Sequence, residues 1–120
     1  MAKTRLIRIR YLLRSLGVPP HILGYVYATE AVNYMISRPG KALLINDVYN
    51  HVAAIYTTSP ICVEASIRNA VKKAIQCNTA LFRSLFKGKK SVGNHIFLTT
   101  LRDIFEEENL EYISKKLKLV

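Results

Sequence analysis

The sequence predicts an all-α fold, a compact bundle of about six helices. Apolar residues recur at spacings of three and four along most of the 120 residues. Proline and glycine interrupt these segments at 17–20, 39–40 and 88–93. Half of the residues are hydrophobic, which is enough for the core of one domain of this size. We therefore expect a single helical domain covering residues 1–120.

The first predicted helix is basic and amphipathic. It combines five cations with apolar residues at helical spacing: Lys3, Arg5, Arg8, Arg10 and Arg14 with Leu6, Ile9, Leu12, Leu13 and Leu16. We expect its apolar stripe to pack on the core, although a membrane-surface helix has the same pattern. The charges continue through the apolar residues, unlike those of a signal peptide. No stretch approaches a transmembrane length, so we expect a cytoplasmic protein without membrane partners.

The second predicted helix runs from about His21 to Ser37. Residues 17–20 end the first helix, because proline disfavours helical geometry in the residue before it. Gly24 is expected to permit close packing against another helix, at some cost in helix propensity. Residues 38–40 should stop the helix. Its apolar surface is expected to contain Ile22, Tyr25, Val26, Ala31, Tyr34 and Met35.

Residues 46–76 have the pattern of a helix-turn-helix. Val48, Val52 and Ile55 recur at intervals of four and three and predict an amphipathic supporting helix. Ser59 is the expected N-cap and Pro60 the first residue of the following helix, about 60–76. In a chain of formal net charge +10, this arrangement favours presentation of the second helix to a nucleic acid.

Two different faces are predicted for that second helix. The inward face should contain Val63, Ile67, Ala70, Val71 and Ala74. The other face, the candidate reading surface, contains Ile61, Cys62, Ala65, Arg68, Asn69, Lys72, Lys73 and Gln76. Cys62 and Cys77 are more than about 20 Å apart along one helix, which is too far for a disulfide. We expect both to be reduced thiols.

The C-terminal third is predicted to hold two more helices. Asn78 should open a short helix with Leu81, Phe82, Leu85 and Phe86 inward. Residues 87–94 form a basic loop that contains two glycines. The last helix is expected from about Phe97 to Glu108, and residues 110–120 should fray or pack against a second subunit.

Several separated stretches carry a resemblance to a known family. In chain order they are SLGVPPHILGYVYATEAVNYMI, TTS, VEASIRNAVKKAI and NTALFRSLFKG. Over roughly residues 10–110 the chain resembles the effector domain of the sporulation stage-zero master response regulator, in the winged-helix-like response-regulator effector superfamily. The resemblance implies an all-helical domain that reads a short box in double-stranded DNA and binds tandem boxes as a homodimer. In that family the domain normally follows a phosphorylatable receiver, for which the sequence before residue 15 has no room, so we expect a stand-alone relative or an excised fragment.

The resemblance assigns five residues to base contact. Glu64 and Arg68 match positions that touch base edges, where a carboxylate accepts from cytosine N4 and a guanidinium bonds guanine O6 and N7. Cys62 and Ala65 stand where the family usually has arginine, and Asn69 stands where it usually has histidine. Loss of two bidentate contacts costs on the order of 2–6 kcal/mol of discrimination. Glu64 and Arg68 also have the spacing of an ordinary intrahelical ion pair, which is the alternative interpretation.

The candidate phosphate contacts are hydroxyl or cationic side chains outside that set: Ser59, Lys72, Lys73, Lys89, Lys90 and Arg14. A solvated surface is the alternative for each of them. For the loop 87–94 the resemblance also implies contact with RNA polymerase, while a plain exposed loop is the third option.

The sequence argues against catalysis. His21, His51 and His95 lack the spacing of metal ligands, and no phosphate-binding loop, dinucleotide turn or nucleophile elbow is present. We predict no cofactor and no metal. The leading hypothesis is a sequence-specific transcription regulator, and the alternative is a protein-interaction module that modulates a full-length relative. RNA binding is a weaker third, because no known RNA-binding module is visible.

Overall fold

The computed structural model describes residues 2–38, 44–89 and 91–118, with side chains described for residues 3–38, 44–89 and 91–107. The described residues form six α-helices: α1 (Ala2–Ser15), α2 (Leu23–Ile36), α3 (Ile45–Tyr56), α4 (Pro60–Cys77), α5 (Ala80–Leu85) and α6 (Asn94–Lys118). None of these residues lies in a β-strand. The predicted all-α fold is confirmed.

The central helix is α2, which packs against α1, α3, α4 and α6. Its contact with α4 is unusually close at Gly24, as the sequence predicts. A Cβ on Gly24 would collide with the carbonyl oxygen of Ser66 and lie 2.7 Å from the Cβ of Ala70. Only glycine allows the two backbones this approach.

The predicted bounds of α2 were too wide. Instead of beginning at His21, the helix begins after Ile22, whose backbone is extended at φ −95° and ψ 151°. The N–H of Ile22 donates to the carbonyl of Pro19 at 3.4 Å, so a turn precedes the helix. Ser37 is the C-cap rather than a helical residue. Within the predicted apolar surface of α2, Tyr25, Ala31 and Met35 are buried while Val26 is exposed.

Helix α1 contributes the inward stripe that its spacing predicts. Ile9, Leu13 and Leu16 are fully buried. The chain then turns at Gly17, whose φ of +91° suits glycine. A Cβ on Gly17 would lie 2.6 Å from the Sγ of Cys77, so the end of α1 lies beside the end of α4.

Residues 39–43 precede α3 and lie outside the described residues. They include Pro39 and Gly40 of the predicted helix stop. Val48 and Val52 are fully buried, but Ile55, predicted inward, is exposed. The helix ends after Tyr56, whose ring lies 5.4 Å from that of Tyr27 in α2 and whose hydroxyl donates to Glu30. The last turn therefore packs on α2 through Tyr56, while Ile55 is 47% exposed.

The short α5 and the long α6 complete the core. Asn78 does not open α5: it is the left-handed C-cap of α4 at φ 49°, and the Thr79 side chain caps α5 instead. Phe97 is fully buried and stacks on Phe86 with ring centroids 5.6 Å apart. The last helix begins three residues before its predicted start at Phe97 and continues to Lys118. Residues 110–118 are therefore helical, whereas 119–120 lie outside the described residues.

Candidate nucleic-acid interface

A tight turn joins α3 to α4. Thr57 has a left-handed backbone, φ 54° and ψ 52°, and its amide caps α3. The Ser59 hydroxyl accepts the N–H of Cys62 at 3.1 Å, and Pro60 occupies the first helical turn. Both features match the sequence prediction, because capping depends on residues only three apart. The turn thus fixes the residue at which α4 begins.

The two faces of α4 separate as predicted. Its buried residues are Val63, Ile67, Ala70, Val71 and Ala74. The opposite face is exposed at Ile61, Cys62, Arg68, Asn69, Lys72, Lys73 and Gln76, and half-buried at Ala65. This set defines the outward face of α4. It forms an uncovered ridge on the helix-turn-helix.

Arg68 and Glu64 form an ion pair on this ridge. The Nη1 of Arg68 donates to both carboxylate oxygens of Glu64, at 2.7 and 2.9 Å. The Arg68 side chain is 66% exposed and that of Glu64 35% exposed. Such a pair contributes about 0.3–0.5 kcal/mol of stability. A guanidinium has five donors, and this contact uses those of one nitrogen.

Three further base-contact candidates lie on the same ridge with different chemistry. Asn69 is exposed and carries a full amide. Ala65 lies beside Asn69 along a shallow groove that faces the start of α2. Hydrogen bonds from the Ser59 and Thr58 side chains lower the pKa of the exposed Cys62 thiol. These three candidates therefore supply an amide, a methyl group and a thiol of lowered pKa.

Asn94 was not identified from the sequence, although it ties three helices together behind this face. Its Nδ2 donates to the Tyr49 hydroxyl at 3.0 Å and to the Glu64 carbonyl at 3.1 Å. Burial raises the pKa of the Tyr49 hydroxyl. A groove of about 490 Å³ opens here between α4 and the start of α6, and Arg68 and Lys72 line it.

The phosphate candidates are spread around this ridge. Lys72 and Lys73 are exposed on α4 itself, and Ser59 is exposed at its N-cap. Arg14 is exposed in the last turn of α1, the end that lies beside the end of α4. Lys89 is exposed in the loop after α5. Lys90 lies outside the described residues.

Two other arginines of α1 have intramolecular contacts. The Nε of Arg5 donates to the side-chain oxygen of Asn33 at 2.7 Å. The guanidinium of Arg8 lies 5.3 Å from the ring centroid of Phe105. These contacts join α1 to α2 and α6, so part of the N-terminal charge stabilises the fold.

Two other kinds of site are absent from the described residues. In this part of the chain no helix is long and apolar enough to cross a membrane. The same residues contain no cluster of three histidine, cysteine or acidic side chains that could hold a metal ion.

The comparison with known families gives one finding. A family model described as "Sporulation initiation factor Spo0A C terminal" matches residues 9–104. The matched range covers all of α2, α3, α4 and α5, the second half of α1 and the first part of α6. It therefore includes the whole helix-turn-helix and the start of α6, where Asn94 lies.

Proposed function

The chain belongs to the sporulation initiation factor Spo0A C-terminal family, and from that premise we propose that it is a sequence-specific transcription regulator of double-stranded DNA. The family is one of helical DNA-binding effector domains of sporulation regulators, not a class of enzymes. In this proposal residues 1–120 form one DNA-binding domain, because α2 contacts α1, α3, α4 and α6.

The observation that supports this function most directly is the uncovered outward face of α4. The helix has 18 residues, a length of about 27 Å at 1.5 Å per residue. The major groove of B-DNA is about 12 Å wide and accepts one α-helix. In helix-turn-helix proteins the second helix enters this groove while the first crosses the backbone. We assign these places to α4 and α3.

Base reading is assigned to the outward face. The Arg68 guanidinium donates two hydrogen bonds, to O6 and N7 of guanine. The Glu64 carboxylate accepts a hydrogen bond from N4 of cytosine, and the Asn69 amide hydrogen-bonds to adenine. Cys62 and Ala65 meet base edges nearer the start of the helix. The ion pair with Glu64 restricts the Arg68 side chain before DNA arrives, which reduces the side-chain entropy lost on binding.

Backbone contacts surround this set. Lys72 and Lys73 follow the reading residues along α4, where a helix leaving the groove meets phosphates. The remaining proposed phosphate contacts are Ser59, Arg14, Lys89 and Lys90. A net charge of +10 supports this electrostatic component, which carries no sequence information itself.

Two protein partners belong to the same proposal. Tandem boxes would be bound by a homodimer, as the family resemblance implies. RNA polymerase would be contacted through α5 and the loop 87–94, where the exposed Ser84 and Lys87 lie outside the α4 ridge.

Selection of bound sequences from random duplexes tests the proposal. We expect one enriched motif, and Arg68→Ala should weaken binding to that motif by about 5- to 150-fold. Binding to an unrelated duplex should fall far less. Lys72→Ala should weaken binding to both duplexes alike. It should also reduce the slope of log K against log salt concentration by about one unit.

Arg38→Ala is the matched control, because it removes an exposed arginine at the C-terminal end of α2. It should leave the ratio of specific to non-specific affinity unchanged. Equal losses on both duplexes for Arg68→Ala would show that Arg68 supplies only charge. No enriched motif, together with co-purification of a full-length relative, would favour the modulator instead.

A further inference from the structure

The most exposed large apolar side chain of the described residues lies on the proposed reading helix. Ile61 is 79% exposed, in the first turn of α4. A side chain of this size gains about 1.5–3 kcal/mol when it is fully buried. Single exposed apolar side chains are common on protein surfaces, so the exposure of Ile61 gains meaning from its place on the face assigned to base edges.

The neighbours of Ile61 on the outward face offer little hydrogen bonding. Ala65 lies one turn further along and has no polar side-chain atom. The Cys62 thiol is a weak donor. The Ser59 hydroxyl already accepts the N–H of Cys62 in the N-cap. Apart from Glu64, whose carboxylate is paired with Arg68, the first half of the ridge is thus largely apolar, in contrast to Arg68 and Asn69 in the second half.

Major-groove base edges include one apolar group, the C5-methyl of thymine, which apolar side chains contact. Ile61 and Ala65 are about 6 Å apart along the helix axis, close to two base-pair steps of about 3.4 Å. N-terminal residues of a recognition helix are those that contact base edges. The apolar segment is also continuous with the polar segment that carries Arg68.

From these observations we propose that Ile61, with Ala65, reads thymine methyl groups in the DNA site. This inference rests on the proposed function and deepens it, because it names the base that the first half of α4 selects. Thymines should then occupy the motif positions that face the start of α4. The positions facing Arg68 and Asn69 are read by hydrogen bonds.

Deoxyuridine tests the proposal at the level of one methyl group, since it pairs with adenine as thymine does but lacks the C5-methyl. Each thymine of the selected motif is replaced singly by deoxyuridine and Kd is measured. For the unaltered protein, at least one replacement should raise Kd about fourfold. This factor corresponds to the free energy of burying one methyl-sized group. For Ile61→Ala, the same replacement should have almost no effect, because the partner of the methyl group is gone.

Ile7→Ala is the matched control. It makes the same truncation at another exposed isoleucine, 55% exposed on α1. This variant should keep the full sensitivity to deoxyuridine. Circular dichroism should show unchanged helicity for both variants, since both side chains are largely exposed.

The outcomes separate the two proposals. A selected motif whose affinity is unaffected by every deoxyuridine overturns the methyl-reading inference and leaves the regulator proposal standing. Equal sensitivity in Ile61→Ala and the unaltered protein also overturns the inference. Failure to select any motif overturns both.

Discussion

The two halves of the outward face of α4 differ in chemistry although they belong to one helix. The first half presents Ile61, Cys62 and Ala65, while the second presents Arg68 and Asn69 with their strong donors. Packing does not cause the difference, because the buried face continues from Val63 to Ala74 through both halves. A single scaffold can therefore support two modes of base reading, and specificity can change in one half alone.

Restoring donors to the apolar half should give the largest effect. A Cys62→Arg, Ala65→Arg double variant should gain guanine at motif positions facing the start of α4, with about 2–6 kcal/mol of discrimination if both pairs form. Positions facing Arg68 should not change. Sequence selection measures both.

The control for added charge is Ala54→Arg, on the exposed side of α3. It should raise affinity for all duplexes without altering the motif. If the double variant behaves in the same way, the first half of α4 does not face base edges.

Disturbing the close contact between α2 and α4 should cost stability rather than specificity. Gly24→Ala places a methyl group against the Ser66 carbonyl and the Ala70 side chain. Overpacking of this kind costs about 1–3 kcal/mol in the free energy of unfolding. Gly93→Ala is the matched control, because a Cβ there meets no atom within 4 Å. Urea unfolding that ranks the two variants equally would contradict the close α2–α4 contact.

Removing the hydrogen bonds behind the Glu64–Arg68 pair should have a selective effect on binding. Asn94→Ala removes the hydrogen bonds to Tyr49 and Glu64, each worth about 0.5–1.5 kcal/mol. Because Glu64 and Arg68 lose a fixed position, specific binding should fall more than non-specific binding.

Thr99→Ala is the comparison variant on α6, since its hydroxyl bonds only to carbonyls of the same helix. Its ratio of specific to non-specific affinity should stay that of the unaltered protein. An unchanged ratio for Asn94→Ala as well would mean that the bridge stabilises the fold without positioning Arg68.

The features that the sequence predicted correctly depend on neighbours along the chain. The burial pattern of α4 follows from helical spacing, and the Ser59 cap follows from a residue three positions before its donor. The Glu64–Arg68 pair likewise follows from a spacing of four. The site assignment itself came from the family resemblance, and its base and phosphate contacts remain predictions.

The features that the sequence did not reveal depend on distant contacts or on choices between adjacent residues. Asn94 bonds to Glu64, 30 residues away in the sequence, and to Tyr49, 45 residues away. At such separations helical periodicity does not indicate which residues meet. Asn78 and Thr79 are both good caps, and only the backbone shows that one ends α4 and the other opens α5. The exposure of Ile55 likewise depends on which residue of the last turn of α3 packs on α2, and that residue is Tyr56.

The central claim, that the outward face of α4 enters the DNA, is tested most directly by alkylation of the unaltered protein. Cys62 and Cys77 are both exposed on α4, but Cys62 lies on the outward face and Cys77 lies beside Gly17. Because its pKa is lowered, Cys62 should react with iodoacetamide at a lower pH than an ordinary thiol. Mass spectrometry should show the Cys62 rate falling toward zero as the selected duplex saturates the protein, with the Cys77 rate unchanged. A Cys62 rate that the bound duplex leaves unchanged would contradict the account.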